Sequence, residues 1–271
     1  MSLKSQYLHF DSTYSTYISD PTNTSGNMSN CYKSMYTTVQ SLKNIKRVHL
    51  KSVELPIGFV NIRTGSTDTL RFRLNGNVYN VVLGERNYTT IASLVTAINT
   101  ACVDKVPDVT ITFSSTTSIN NPNRLLITFT GAVITSTFSI IDTNLSMYVL
   151  GFRSLNDRIR SQIGNLPSVY AATSSNCNLN FDNYINMYIP TLNGMNASTS
   201  GMTTTFKIPL NASNNQIYYY FDNSSFSQYV DISDSKLILS NLTVILLDRF
   251  GQNINPNGLD WSWTILVDYL A

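Results

Sequence analysis

Two aspartates, Asp248 and Asp260, flank a loop in "LLDRFGQNINPNGLDWSWTILVDYL" (residues 246–270), with Arg249 and Asn257 between them. Paired carboxylates on a loop are the minimum equipment for glycoside hydrolysis, one as acid, the other as base or nucleophile. Asp231 and Asp234 form a second candidate pair. Sixteen acids spread over 271 residues make some acidic pair in space expected by chance. The two histidines, His9 and His49, have no Cys or His at metal-ligand spacing, and HExxH, GxSxG and P-loop patterns are absent. Cys31, Cys102 and Cys177 are widely spaced without a CxxC. That spacing argues for reduced, buried thiols rather than a disulfide scaffold or a zinc site. The residues therefore read as those of a non-enzyme without a cofactor.

The elements that must carry these residues are mostly strands. Charged residues are only 13% of the chain, against a usual quarter, while Ser, Thr and Asn make up about a third. Those three compete with the helical backbone for hydrogen bonds, and β-branched Thr fits a pleated surface. In "LRFRLNGNVYNVVL", Phe72 and Leu74 alternate with Arg71 and Arg73, and Asn75-Gly76 predicts a type I′ hairpin. The period then changes. Ile91, Leu94, Val95, Ile98 and Cys102 make one apolar helical stripe, with Thr89 or Thr90 as its N-cap. Short strand-like runs resume at 109–113, 125–129, 138–141, 179–189, 203–208, 217–221, 236–247 and 261–270, and "LSMYVLGFRS" (145–154) reads as a brief helix or strand. "PTLNGMNASTSGM" (190–202) reads as an exposed loop. Many short strands with one helix and frequent turns predict an all-β antiparallel sandwich or barrel. Residues 1–32, rich in Ser, Thr, Asn and Tyr, read as an extended N-terminal arm before a single domain over 33–271.

Two further features bear on partners. In "KNIKRVHLKSVELP", Val48 and Leu50 alternate with Arg47, His49 and Lys51, so one strand face is basic. A net charge of +2 is too mild to require nucleic acid. The N-terminal "MSLKSQYLHFDSTY" has no apolar core of a signal peptide, and no run approaches the ~18 apolar residues of a membrane span. A soluble chain made in a cytosol-like compartment is expected.

The stretches "LHFDSTY", "IKRVHLKSVELPIGFVNI", "LRFRLNGNVYNVVL", "ERNYTTIASLVTAIN", "RLLITF", "FSIID", "VLGFRS" and "LLDRFGQNINPNGLDWSWTILV" occur in that order. Together the pattern resembles the penton, or vertex capsid, proteins of large eukaryotic DNA viruses, virophages and polinton-like viruses. The resemblance is strongest over 43–153 and 242–270. It implies a single jelly roll, five copies of which plug an icosahedral five-fold vertex among capsomers of a double-jelly-roll major capsid protein, with minor capsid proteins as further neighbours. It places the chain in the virion after synthesis in the host cytoplasm or a viral factory. The chain exceeds a minimal jelly roll, and the surplus is expected in the arm and in an apical insertion within 155–235. Arg47, His49, Lys51, Arg153, Arg158 and Arg160 would face an acidic capsid neighbour, with packaged DNA as second choice. A receptor- or glycan-binding β-sandwich is the alternative, and a glycoside-active enzyme ranks below both.

On this reading the closing segment is a hairpin. Trp261, Trp263, Ile265 and Val267 share one strand face, and both faces of "LTVILL" are apolar. Gly251 and Asn257-Gly258 supply backbone freedom, and Asp248, Arg249 and Asp260 hold the loop structurally.

Overall fold

The computed structural model describes residues 2–18, 33–103, 105–106, 109–115, 123–131, 137–153, 159–161, 168–171, 175–180, 182–192, 204–211, 216–223, 227–232, 237–254, 256 and 259–271. Strands β1 (Leu3–Asp11), β2 (Thr16–Ile18), β3 (Lys33–Leu42) and β4 (Ile45–Pro56) come first. Next are β5 (Thr69–Leu74), β6 (Asn77–Val82), helix α1 (Ile91–Val103), β7 (Val109–Ser115), β8 (Leu125–Gly131), β9 (Thr137–Ile141), β10 (Ile159–Ser161) and β11 (Ser168–Ala171). The chain closes with β12 (Tyr184–Tyr188), β13 (Phe206–Pro209), β14 (Ile217–Phe221), β15 (Tyr229–Asp231), β16 (Leu239–Leu247) and β17 (Ser262–Leu270). Every strand pair in the described residues is antiparallel.

The chain divides into two compact units, Met1–Phe59 with Asp182–Ala271, and Val60–Phe181. In the first unit one sheet runs β1-β17-β4-β14, with β15 also on β4, and the other runs β13-β12-β16-β3-β2. Take β1, β3, β4, β12, β13, β14, β16 and β17 as strands 1 to 8. The sheets then read 1-8-3-6 and 5-4-7-2. That is the strand order of a jelly roll, eight strands in two sheets built from Greek keys. The two sheets enclose one core. Val48, Leu50, Val53 and Leu55 enter it from β4, Leu242, Val244 and Leu246 from β16, and Ile185 and Met187 from β12. Its densest part is aromatic. Phe10 stacks on Trp263 at 4.4 Å between ring centres, and Tyr36 meets the same indole edge-on at 5.7 Å. The alternation of Trp263, Ile265 and Val267 with Ser262, Thr264 and Leu266 thus becomes an inward and an outward row of β17.

Two boundaries differ from the sequence reading. The roll begins at Leu3, because β1 pairs with β17 in unbroken register from Leu3↔Leu270 to Asp11↔Ser262. The segment read as an arm therefore supplies the first strand. Its largely exposed side chains suit a sheet edge, and its partner lies at the far end of the chain. The second compact unit occupies 60–181, between the third and fourth strands of the roll, and overlaps the expected 155–235 insertion only in part.

Within the second unit the local signals hold. Asn75 and Gly76 both adopt positive φ, 52° and 81°, joining β5 to β6 as the type I′ pattern requires. Thr90 caps α1, its hydroxyl accepting from the Ser93 N–H at 3.2 Å, and Leu94, Val95, Ile98 and Cys102 are buried. Two asparagines stand in for backbone. Asn61 pairs with both backbone groups of Tyr88, at 2.7 and 2.9 Å, and Asn99 on α1 pairs with both of Phe113 on β7, at 2.9 and 2.7 Å. The stretch 145–149 is one π-helical turn, and Gly151 follows at φ 87°.

Candidate functional site

The outward row of β4 carries Arg47, His49 and Lys51, because Val48 and Leu50 are fully buried on the inward side. Each of the three meets an acid of its own chain. Asp231 lies opposite Arg47 in the β15–β4 register, and its Oδ1 accepts from Arg47 Nε at 2.7 Å. That hydrogen bond raises the guanidinium's pKa above its ordinary value, and the same group lies 4.5 Å from the centre of the Tyr229 ring. His49 Nε2 is 3.2 Å from Asp268 Oδ2 on β17, and Asp268 also accepts from the Ser5 hydroxyl at 2.6 Å. Lys51 Nζ donates to Asp222 Oδ2 at 2.6 Å, and Ser227 donates to the same oxygen at 3.0 Å. The Asp222 side chain is 1% exposed. A row that reads as a basic face along the sequence is therefore a face of internal ion pairs.

Beside these pairs runs an apolar border. On β14, Tyr218 turns into the core and Tyr220 packs against it, and burial pushes both phenols up. The alternate residues point outward, Ile217 56%, Tyr219 52% and Phe221 62% exposed, and Tyr229 on β15 joins them at 46%. The Tyr219 and Phe221 rings are parallel within 5° at 6.5 Å. At one end of the same sheet a groove of about 250 Å³ is lined by His9, Asp11, Glu54, Tyr219, Asp260 and Trp261 among others. Its carboxylates are engaged. Thr13 donates to Asp11 from its hydroxyl at 2.6 Å and its backbone N–H at 2.9 Å, which lowers the Asp11 pKa, Glu54 accepts from Ser262, and Asp260 accepts from Ser12 at 3.2 Å. His9 lies 3.0 Å from the Thr264 hydroxyl.

The hairpin residues separate into different environments. Asp248 is fully buried, and its Oδ1 accepts from the Phe250 and Gln252 N–H groups at 2.7 and 2.9 Å. Gly251, at φ 81°, donates its N–H to the Asp248 carbonyl and closes the turn. Arg249 lies 5.7 Å from the centre of the Tyr184 ring. Asp260 is exposed at the groove, which Asp248 does not line. Asn257, Gly258, Arg158, Asp234 and Cys31 lie outside the described residues, as does the side chain of Arg160. Arg153 is exposed, its Nε 3.4 Å from the Met147 carbonyl. Among the described residues no group of three or more His, Cys, Asp or Glu could hold a metal ion, and no helix is long and apolar enough to cross a membrane. The pairing of acids with the β4 row was missed along the sequence, where Asp231 was read only beside Asp234, because Asp222, Asp231 and Asp268 lie 171 to 219 positions from their partners. The alternation of Arg47, His49 and Lys51 with Val48 and Leu50 was the local sign of this face.

No protein-family model matches the chain, and no curated protein matches it. Among solved structures it is similar to the mavirus penton protein, at 13% identity and a TM-score of 0.46, over 98% of this chain and 100% of that one. It is also similar to a chain of the Sputnik virophage particle, at 10% identity and a TM-score of 0.41, over 97% and 98%. The fold assignment rests on strand order and register.

Proposed function

We propose that this protein is a structural capsid protein that assembles as a homopentamer at the five-fold vertices of an icosahedral virus particle, among capsomers of a major capsid protein. The observation that carries the reading is the outer face of the β1-β17-β4-β14 sheet. Its two cations, Arg47 and Lys51, are each paired with an acid of the same chain, beside an exposed aromatic border. Such a face can lose its water against another protein without stranding charge, because the partners of each ion travel with it. Nucleic acid is the weaker partner here, since binding it draws on cations that are available to phosphate. The stretches that resemble penton proteins fall on β1, β4, the β5–β6 hairpin, α1, β8, β9 and the β16–β17 connection, so the resemblance reaches both units.

The experiment is particle composition with averaged images. Co-expressed with its major capsid protein, the chain is expected at about sixty copies per particle, five at each of twelve vertices. Its absence from purified particles, or density away from the five-fold axes, overturns the proposal. Specific binding on a glycan array by a chain absent from particles would instead favour a receptor-binding head.

A further inference from the structure

The two borders of the first sheet carry unlike apolar strips. Among the described residues β14 pairs only with β4, and β1 only with β17, so these strands bound the sheet on opposite sides. The β14 border shows Ile217, Tyr219 and Phe221, with Tyr229 beside it. The β1 border shows Leu3 and Tyr7, 63% and 66% exposed, followed by Tyr14 at 88% in the turn beyond. We infer that the β14 border of one copy docks on the β1 border of the next, so that the chain joins head to tail. This rests on the capsid reading above and names the surface that would build the ring.

Area, charge and shape support a second copy as the occupant. Taking roughly 200 Å² for a large side chain, each strip exposes about 400 Å² of mainly apolar surface. A standard interface buries roughly 800 Å² per partner, somewhat over half of it non-polar, so each strip matches the non-polar share of one side. On the β4 row Arg47 and Lys51 are each balanced by an acid of the same chain, so these two cations do not repel a second copy. A pocket of about 200 Å³ on the β1 side, lined by His9, Phe10, Asp11, Tyr14, Tyr36 and Thr37, offers a seat for an aromatic ring, and the β14 border presents two. Contact between two different borders is heterologous, and a heterologous contact that closes by rotation makes a ring. Uncovered, both borders would be open sheet edges carrying apolar side chains, which proteins ordinarily protect.

The test uses two double variants of the full chain, Tyr219→Asp with Phe221→Asp, and Leu3→Asp with Tyr7→Asp. All four positions are exposed, and circular dichroism with a melting curve confirms that each variant folds. By light scattering, the wild-type chain is expected at the mass of five copies and each double variant at the mass of one. An equimolar mixture of the two variants is expected to give dimers, because one intact border of each kind remains and the chain of contacts stops there. A wild-type ring that survives either double variant overturns the border contact and leaves the capsid reading standing. A mixture that stays monomeric shows that the borders do not meet each other and overturns it too. A wild-type chain that stays monomeric at every concentration, yet enters particles at vertices, also overturns the border contact alone. Absence from particles defeats the capsid reading itself.

Discussion

Replacing Asp248 with alanine is expected to destabilise the jelly-roll unit by removing the acceptor that organises the β16–β17 connection. Asp248 is fully buried, and its Oδ1 takes hydrogen bonds from the Phe250 and Gln252 amides at 2.7 and 2.9 Å. Hydrogen bonds to a charged group contribute roughly 1.5–3 kcal/mol each, and the low end applies because exposed Gln252 can regain water, giving about 3 kcal/mol for the pair. In a domain of this size 1 kcal/mol moves Tm by roughly 2–4 °C, so Asp248→Ala is expected to melt about 6–12 °C below wild type. Asp248→Asn keeps a carbonyl acceptor and is expected to recover at least half of that loss. Asp260→Ala is the control, since exposed Asp260 accepts a 3.2 Å bond from Ser12, and its Tm is expected within about 2 °C of wild type. The assay is a melting curve followed by near-UV and far-UV circular dichroism, with urea unfolding as a second measure. An Asp248→Ala protein that melts with wild type, or an Asp260→Ala protein that loses as much, would refute the assignment of the loop to Asp248.

Trp263→Ala, which empties a fully buried site against Phe10 and Tyr36, is expected to cost about 3–5 kcal/mol in urea unfolding, whereas Tyr219→Ala on the exposed border stays within about 0.5 kcal/mol for the monomer. Gly151→Ala is expected to lower Tm at least twice as far as Gly76→Ala. Both glycines have positive φ, but a Cβ at Gly151 would lie 2.5 Å from the Ser175 carbonyl oxygen, while nothing lies within 4 Å at Gly76. Burial pushes the thiols of Cys102 and Cys177 up to about 11 and about 12. Thiol titration of the native protein at pH 8 is therefore expected to detect at most Cys31, and all three cysteines after unfolding. Because these folded values lie above the ordinary 9.0, the stability the neutral thiols contribute is complete below pH 9 and is lost as pH rises from there through about 11 and 12. Urea midpoints that rise across that range would contradict the sign.

What could be read along the chain was local in origin. Helix α1 follows from one apolar stripe and a Thr cap, and the β5–β6 hairpin from Asn75-Gly76, because helical period and turn chemistry need only neighbouring residues. The Trp261–Val267 row foretold the inward face of β17 because side chains alternate along any strand. Three things waited on the tertiary structure. Leu3–Asp11 is a strand only because β17 lies beside it, and strand pairing over that distance leaves no mark in the local sequence. The second compact unit at 60–181 is as rich in short strands as the roll it interrupts, so composition draws no boundary. The meaning of Arg47, His49 and Lys51 changed most. Read alone they are a basic strand face, but the register of β15 and β17 and the fold at Asp222 bring an acid to each, because charge on a surface depends on which distant residues the sheet sets opposite.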